Sequence, residues 1–348
     1  MNVLFIWGKF LILLTLIYIF GTKASKKADI IAEKKGLAKA FMGLVFIAMI
    51  TSFPELFTGI SAVAVVKSPD IALGEILGSC IFNLLIIAII ELSFRKKKMY
   101  SLQGKINMLP MGFSLILIAV VTLGIALKLK FTILNVGLFP IIIIILYFVF
   151  MRIIYLERRA ENRDVSSQEN AQVKAAAGEG EKKESIKSKS TGKASIRKEV
   201  ISFIMCAAVI IAVGGYLPKV GEELATAMGW NHSFVGIVFL AFVTSFPELT
   251  VSFAVVRMGN VDMFIGNIAG SNLFNLAIVF FIDLFYVKGA VLGAVSVNNI
   301  PTGIIAILMS FIIFFALARQ SSTKLFNIIS INAVFIIILY IITLLIIY

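Results

Sequence analysis

The sequence predicts an all-α membrane protein of ten transmembrane helices, built as two inverted five-helix repeats. Three observations predict it. Of the 348 residues, 60% are hydrophobic and only 15% charged, with a mean hydropathy of +1.01, whereas a soluble chain is about half apolar and about a quarter charged. Ten apolar runs reach the ~20 residues needed to cross ~30 Å of hydrocarbon. A polar motif, unexpected inside such runs, recurs in both halves of the chain.

The composition excludes an ordinary cytosolic enzyme and a disordered or collagen-like chain. The formal net charge of +13 would suit nucleic acid, but the basic residues sit in short stretches between apolar runs. That distribution orients a polytopic protein, so no nucleic-acid partner is expected. The two cysteines, Cys80 and Cys206, lie inside apolar runs and read as small packed hydrophobes. A single histidine, His232, cannot build a zinc site without other strong ligands. No zinc motif, Ser/His pairing or phosphate loop is visible, so no enzyme is expected.

In chain order the runs cover 3–22, 40–66, 70–93, 106–128, 131–155, 198–217, 233–256, 261–287, 292–317 and 324–347. The first contains Lys9, which can snorkel to an interface; a cleaved leader is the alternative, but no small-residue cleavage pattern follows it. Residues 1–155 form the first repeat and 198–348 the second. Between them, 156–197 is rich in Lys, Arg, Glu, Ser and Gly, and is expected to be a solvated, irregular cytoplasmic linker with local helix around Ala171–Ala177. One set of loops carries Lys23, Lys26, Lys27, Lys34 and Lys35, then Arg95 to Lys98, the linker, Arg319 and Lys324. The other carries only Lys67, Lys128, Lys130, Lys219 and Lys288. The basic set should face the cytoplasm, which puts both termini outside.

The repeat is specific. Phe41–Leu56 (FMGLVFIAMITSFPEL) aligns with Phe234–Leu249 (FVGIVFLAFVTSFPEL), and roughly two thirds of the positions are identical. Downstream, Gly74–Leu84 (GEILGSCIFNL) aligns with Gly266–Leu276 (GNIAGSNLFNL), after a one-residue slip in the loop. Chance explains Leu against Ile, but not a repeated Thr-Ser-Phe-Pro-Glu in hydrocarbon. Five spans per half is odd, so the second copy enters the membrane upside down, and such halves meet at a midplane site.

Glu55 and Glu248 lie in matching spans. A carboxylate at bilayer depth costs at least ~2.5–3.5 kcal/mol and is functional by default. Pro54 and Pro247 precede them. Each proline lacks an N–H and clashes with the preceding turn, so the helix kinks or unwinds and frees the carbonyls of Ile50 and Val243. Thr51 and Thr244 lie one turn before the acids on the same face, and Ser52 and Ser245 on an adjacent one. Ser79 with Asn83, and Ser271 with Asn275, are again one turn apart. The glycines Gly43, Gly74, Gly78, Gly236, Gly266 and Gly270 would let these helices approach closely. Two carboxylates among hydroxyl, amide and carbonyl oxygens form a hard cage that suits Ca²⁺, and suits Na⁺ or protons equally. Two negative charges neutralise one Ca²⁺, or two monovalent cations. A site that is neutral when loaded with either ion, and charged when empty, crosses only when loaded.

At these residues the chain resembles the calcium/cation antiporter superfamily, and within it the prokaryotic sodium/calcium exchangers. The two Thr-Ser-Phe-Pro-Glu segments, each followed by Gly-x-x-x-Gly-Ser-x-x-x-Asn, are similar to the α-repeats of that family. The resemblance implies a secondary active antiporter in the cell membrane, exchanging Ca²⁺ for Na⁺ by alternating access. It implies no cofactor beyond the transported ions, with the lipid bilayer and inorganic cations as partners and no obligate protein partner. It implies Glu55 and Glu248 as central acidic ligands, with Thr51 and Thr244 beside them. Ser52, Ser245, Ser79 and Ser271 would be sodium-site hydroxyls, Ala48 and Ala241 carbonyl positions, and Asn83 and Asn275 a polar pair. Spans one and six would be a long tilted pair that slides over the core.

Three features, carried by four residues, depart from that pattern. Ile50 and Val243 replace a usual Gly, Asn275 stands where many members have Asp, and Glu75 stands where Asn is usual. Glu75 reads as a carboxylate near the outer mouth, with an extra acidic ligand as the other reading. A cation/proton antiporter is the alternative, because two glutamates can be protonated without help; a channel fits the inverted repeat less well.

Overall fold

A computed structural model describes residues 3–34, 48–94, 107–176, 193–319, 324–325 and 329–348. Gly43, the first part of the Phe41–Leu56 motif, Lys35, Arg95 to Lys98 and the middle of the linker lie outside them.

Each of the ten apolar runs contains a helix among its described residues. Helix α1 is Val3–Lys34, α2 Phe53–Ala64, α3 Pro69–Ser93, α4 Met108–Leu127, α5 Leu138–Ala176 and α6 Lys193–Met228. Helix α7 (His232–Thr244) and α8 (Phe246–Arg257) are one broken span, bent by 43°. Then follow α9 (Val261–Phe285), α10 (Ile300–Arg319) and α11 (Ile331–Ile347). Among the described residues, seven helices, or eight with the bent pair as one span, are long and apolar enough to cross a membrane, while α2 and α11 are shorter.

Two boundaries differ from expectation. The fifth run opens with a hairpin, β1 (Thr132–Ile133) paired antiparallel with β2 (Val136–Gly137), before α5 begins. Its turn residues Leu134 and Asn135 both have positive φ, 50° and 65°, the twist a two-residue hairpin requires. The linker is helical wherever it is described, since α5 runs on to Ala176 and α6 starts at Lys193. A second two-stranded pair, Lys324–Leu325 with Ile329–Ser330, precedes α11.

Burial sorts the helices. Helices α3 and α9 are apolar on every face, the mark of a helix enclosed by others. Of their apolar windows 89% and 78% are buried, against 22% for α1 and 28% for α5 and α6. The outer helices turn Phe5, Leu11, Ile12, Phe148, Met205 and Phe311 outward. An outer shell this apolar, around a buried interior that holds the polar residues, has lipid as its solvent, and the protein is an integral multi-pass membrane protein.

The packing exchanges halves. Helix α2 packs on α6 as α8 packs on α1; α3 on α7 as α9 on α2; α3 on α11 as α9 on α5; and α3 on α10 as α9 on α4. The same exchange is visible in hydrogen bonds. Asp70, at the start of α3, accepts from Ser296 N at 2.7 Å and Asn299 Nδ2 at 3.2 Å, just before α10. The backbone carbonyl of Asp262, at the start of α9, accepts from Asn107 Nδ2 at 2.9 Å, just before α4, and Asn107 is held in turn by Arg158. Helices α1 and α6 run antiparallel and are tied near both ends, by Lys9 to Glu223 and by Lys27 to Glu199 at 2.7 Å. Lys9 is therefore paired rather than snorkelling alone.

Glycine permits the close approach of α3 to α7. A Cβ on Gly78 would stand 2.5 Å from the Ile237 carbonyl oxygen and 2.8 Å from Ala241 Cβ; one on Gly74 would stand 2.9 Å from the Ser233 carbonyl. Those atoms are mostly rigid backbone. Gly78→Ala is therefore expected to cost about 1–3 kcal/mol by overpacking, read as a lower melting temperature of the detergent-purified protein. An unchanged melting temperature would mean that residues 237–241 yield without strain.

Candidate cation site

The repeated Ser-Phe-Pro-Glu builds the same local structure twice. Ser52 (φ −89°, ψ 12°) and Ser245 (φ −86°, ψ 8°) leave helical geometry, and a new helix starts at the next residue with proline in its first turn. That place suits proline, because the first N–H groups of a helix have no partner to lose. It also sets Glu55 and Glu248 in the first turn, where aligned amides favour negative charge. Before the second break, residues Val235–Leu240 are a π-helix, a local insertion frequent at functional sites.

All twelve site residues expected from the sequence are buried, and several meet across the halves. Ser245 Oγ donates to Glu55 Oε1 at 3.0 Å, and Ser52 Oγ donates to Glu248 Oε1 at 3.2 Å. Each half thus orients the other's acid. Thr51 Oγ1 lies 3.4 Å from Ser271 Oγ, and Thr244 Oγ1 lies 3.4 Å from Ser79 Oγ. The two glutamates lie within electrostatic reach of each other. The arrangement has the two-fold exchange seen in the helices.

The second oxygen of each acid, Oε2, is buried without a hydrogen-bond partner, as are Asn83 Oδ1 and both amide atoms of Asn275. Buried polar atoms are ordinarily satisfied. A convergent set of unsatisfied oxygens, two of them on carboxylates, is what a hard cation would complete. Among the described residues, no three of His, Cys, Asp and Glu converge on one metal position. Hydroxyls, amides and carbonyls would therefore have to supply most of the ligands.

Some expectations change. The carbonyls of Ala48 and Ala241 are not free. Ala48 O accepts from Ser52 N and Thr51 Oγ1, both at 3.1 Å; Ala241 O accepts from Ser245 N at 3.0 Å, while the Thr244 hydroxyl lies nearer Leu240 O, at 3.1 Å, than Ala241 O, at 3.4 Å. Both lone pairs of Ala48 O are thus engaged, and Thr51 must turn away before that carbonyl can bind an ion. Asn83 and Asn275 do not pair with each other; Asn83 Nδ2 donates to Asn272 Oδ1 at 3.0 Å, and Asn272 reaches the Cys80 carbonyl. Asn272 was not singled out from sequence, although it is the polar residue standing where the first half has Cys80. Glu75 is not at a mouth: it is fully buried. Asp283, also passed over, accepts from Gly137 N and Val291 N, both at 2.5 Å, and ties the end of α9 to the hairpin. His232 Nδ1 lies 3.1 Å from Ser68 Oγ and belongs to a helix junction.

The long outer pair touches the site through glycines. A Cβ on Gly21 of α1 would fall 2.5 Å from Pro247 Cγ, and one on Gly214 of α6 would fall 3.3 Å from the Pro54 carbonyl. Each helix therefore lies on the proline of the other half's acid motif.

A lipid-embedded fold of two exchanged halves, with paired acids and hydroxyls buried between them, defines a membrane transporter. The family model described as sodium/calcium exchanger protein matches residues 5–156 and 198–348, and the chain belongs to that family. The chain is 27% identical to the inner membrane protein YrbG of Escherichia coli over 252 residues, covering 72% of this chain and 71% of that one. It is 28% identical over 90 residues, 26% of each chain, to the sodium/calcium exchanger MaX1 of Methanosarcina acetivorans. Its fold is similar to that of the sodium-calcium exchanger NCX_Mj, solved after soaking with Na⁺ and Sr²⁺, with a TM-score of 0.58 and 18% identity over 99% of both chains.

Proposed function

We propose that the protein is an antiporter that exchanges Ca²⁺ for Na⁺ across the cell membrane by alternating access. Ten spans form two inverted five-helix repeats, with both termini outside and the 156–197 linker in the cytoplasm. The antiparallel, doubly tied α1–α6 pair supports the inversion, and the run of basic loops supports the orientation.

The observation that carries this reading is the reciprocal pairing. Ser52 holds Glu248 and Ser245 holds Glu55, and each acid keeps one buried oxygen without a hydrogen-bond partner. In this reading Glu55 and Glu248 neutralise the bound charge, while Thr51, Thr244, Ser52, Ser245, Ser79, Ser271, Asn83 and Asn275 supply oxygens. The carbonyls of Ala48 and Ala241 join, the first when Thr51 rotates. An ion here sheds its water for protein oxygens, and the empty site, with two uncompensated charges, is disfavoured from crossing. That penalty couples the two ions.

Exchange against protons is the second reading, favoured by the neutral Asn275 at the centre. Proteoliposomes loaded with Na⁺ and diluted into Na⁺-free buffer containing radioactive Ca²⁺ are expected to accumulate Ca²⁺, and to stop when a Na⁺ ionophore is added. Uptake that follows an imposed pH gradient with Na⁺ absent would select the proton reading; uptake coupled to neither gradient would reject antiport.

A further inference from the structure

Glu75 is the acid that the reciprocal pairs leave over. It sits on α3, one turn before Ser79, with no exposed surface, and neither carboxylate oxygen has a hydrogen-bond partner. It takes part in neither of the two ion pairs among the described residues. It lies within electrostatic reach of Glu55, and the Thr244 hydroxyl stands beside both acids. A Cβ placed on Gly59, one turn after Glu55 on α2, would be 3.6 Å from Glu75 Oε2.

The repeat supplies an internal comparison. Gly59 follows Glu55 by four residues as Ser252 follows Glu248, and Glu75 aligns with Asn267. The second half therefore carries a neutral Ser and Asn where the first carries Gly and Glu. Ser252 Oγ and both amide atoms of Asn267 are likewise buried without a partner. Since a neutral amide occupies the equivalent place, packing there does not demand an acid. A lone carboxylate in a dry interior is costly and persists only when something offsets its charge. The side chains around it offer oxygens and carbon, not a cation.

We propose that Glu75 and Glu55, with the Thr244 hydroxyl, form a second cation subsite beside the Glu55–Glu248 centre, present in the first half only. This rests on the antiport reading and extends it. Glu55 is shared: it faces Glu248 across the halves and Glu75 on its own side. The subsite takes a hard cation of the alkali or alkaline-earth class, since every donor is an oxygen. A Cβ at Gly59 would press on Ile282 Cδ1 at 2.7 Å before it reached the Glu75 carboxylate, so a Ser there, as in the second half, would push Ile282 toward the acid. With three carboxylates in two adjoining subsites, a divalent ion and one monovalent ion together balance the charge. The loading of this carrier is thus asymmetric between halves that are otherwise matched.

The test is equilibrium binding of radioactive Na⁺ and of radioactive Ca²⁺ to the purified full-length protein in detergent. Wild type is compared with Glu75→Gln and with Glu75→Asn, which installs the residue the second half already tolerates; Glu55→Gln runs alongside. Both Glu75 variants are expected to keep the wild-type melting temperature and to lose about tenfold or more in affinity for at least one of the two ions. The ion affected identifies the occupant. Affinities for both ions within about twofold of wild type overturn the subsite, as does a loss that comes only with a collapsed melting curve in both variants. Unchanged binding of both ions in Glu55→Gln would instead overturn the transport site itself, which separates the two failures.

Discussion

Proteoliposomes containing Glu55→Gln or Glu248→Gln are expected to lose Na⁺-driven Ca²⁺ uptake by at least about 100-fold. Removing one charge from a buried, mutually dependent set costs about 3–5 kcal/mol, and ~3 kcal/mol is already more than 100-fold in affinity. Glutamine is nearly isosteric with glutamate, and its carbonyl oxygen can still accept the hydrogen bond from Ser245 or Ser52. The fold should therefore survive, and the loss should report charge rather than structure. The two variants should behave alike, because each acid is held by the other half's serine in the same way. Uptake that persists in both would remove these residues from the transport path. Uptake lost in only one would show that the two-fold geometry hides an unequal division of labour, with Glu55, neighbour to Glu75, the more exacting position.

The second large effect is expected away from the acids. Gly21→Leu puts a side chain where even a Cβ would be 2.5 Å from the Pro247 ring, and Gly214→Leu extends one past a Cβ that would already stand 3.3 Å from the Pro54 carbonyl. Helices α1 and α6 are tied to each other by two ion pairs, and each rests on the other half's proline through a glycine. Sliding of packed helices is a recognised route between states, and a bulky residue at a glycine contact obstructs it. Turnover is expected to fall about tenfold or more in either variant, while Ca²⁺ binding at equilibrium stays close to wild type, since neither glycine supplies a ligand. Parallel loss of binding and transport would mean that the glycines shape the site itself; unchanged turnover would mean that the α1–α6 pair does not move over the prolines.

Much of the protein could be read from the chain alone. A glutamate after Thr-Ser-Phe-Pro in an apolar run is conspicuous because hydrocarbon tolerates few such residues, and its repetition in the second half points to a pair. Helical spacing puts Thr51 over Glu55 and Ser79 over Asn83, since i and i+4 share a face whatever surrounds them. Proline dictates the break in each helix. These are local facts, set by a residue's relation to its own turn and to the medium at its depth.

What lies opposite a residue is not local. Sequence spacing could not reveal that Ser245 bonds Glu55 and Ser52 bonds Glu248, because those bonds span about half the chain. Nor could it reveal that Asn83 meets Asn272 rather than Asn275, or that Asp283 closes a hairpin 146 residues away. Glu75 is the sharpest case. Its place near the start of α3 suggested an exposed mouth, but it is fully buried, with Gly59 of α2 and Gly236 of α7 packed beside it. Hydrophobic pattern fixes which residues enter the membrane; the close approach of helices at Gly59, Gly74 and Gly78 decides which of them are sealed from water and which acids must share a charge.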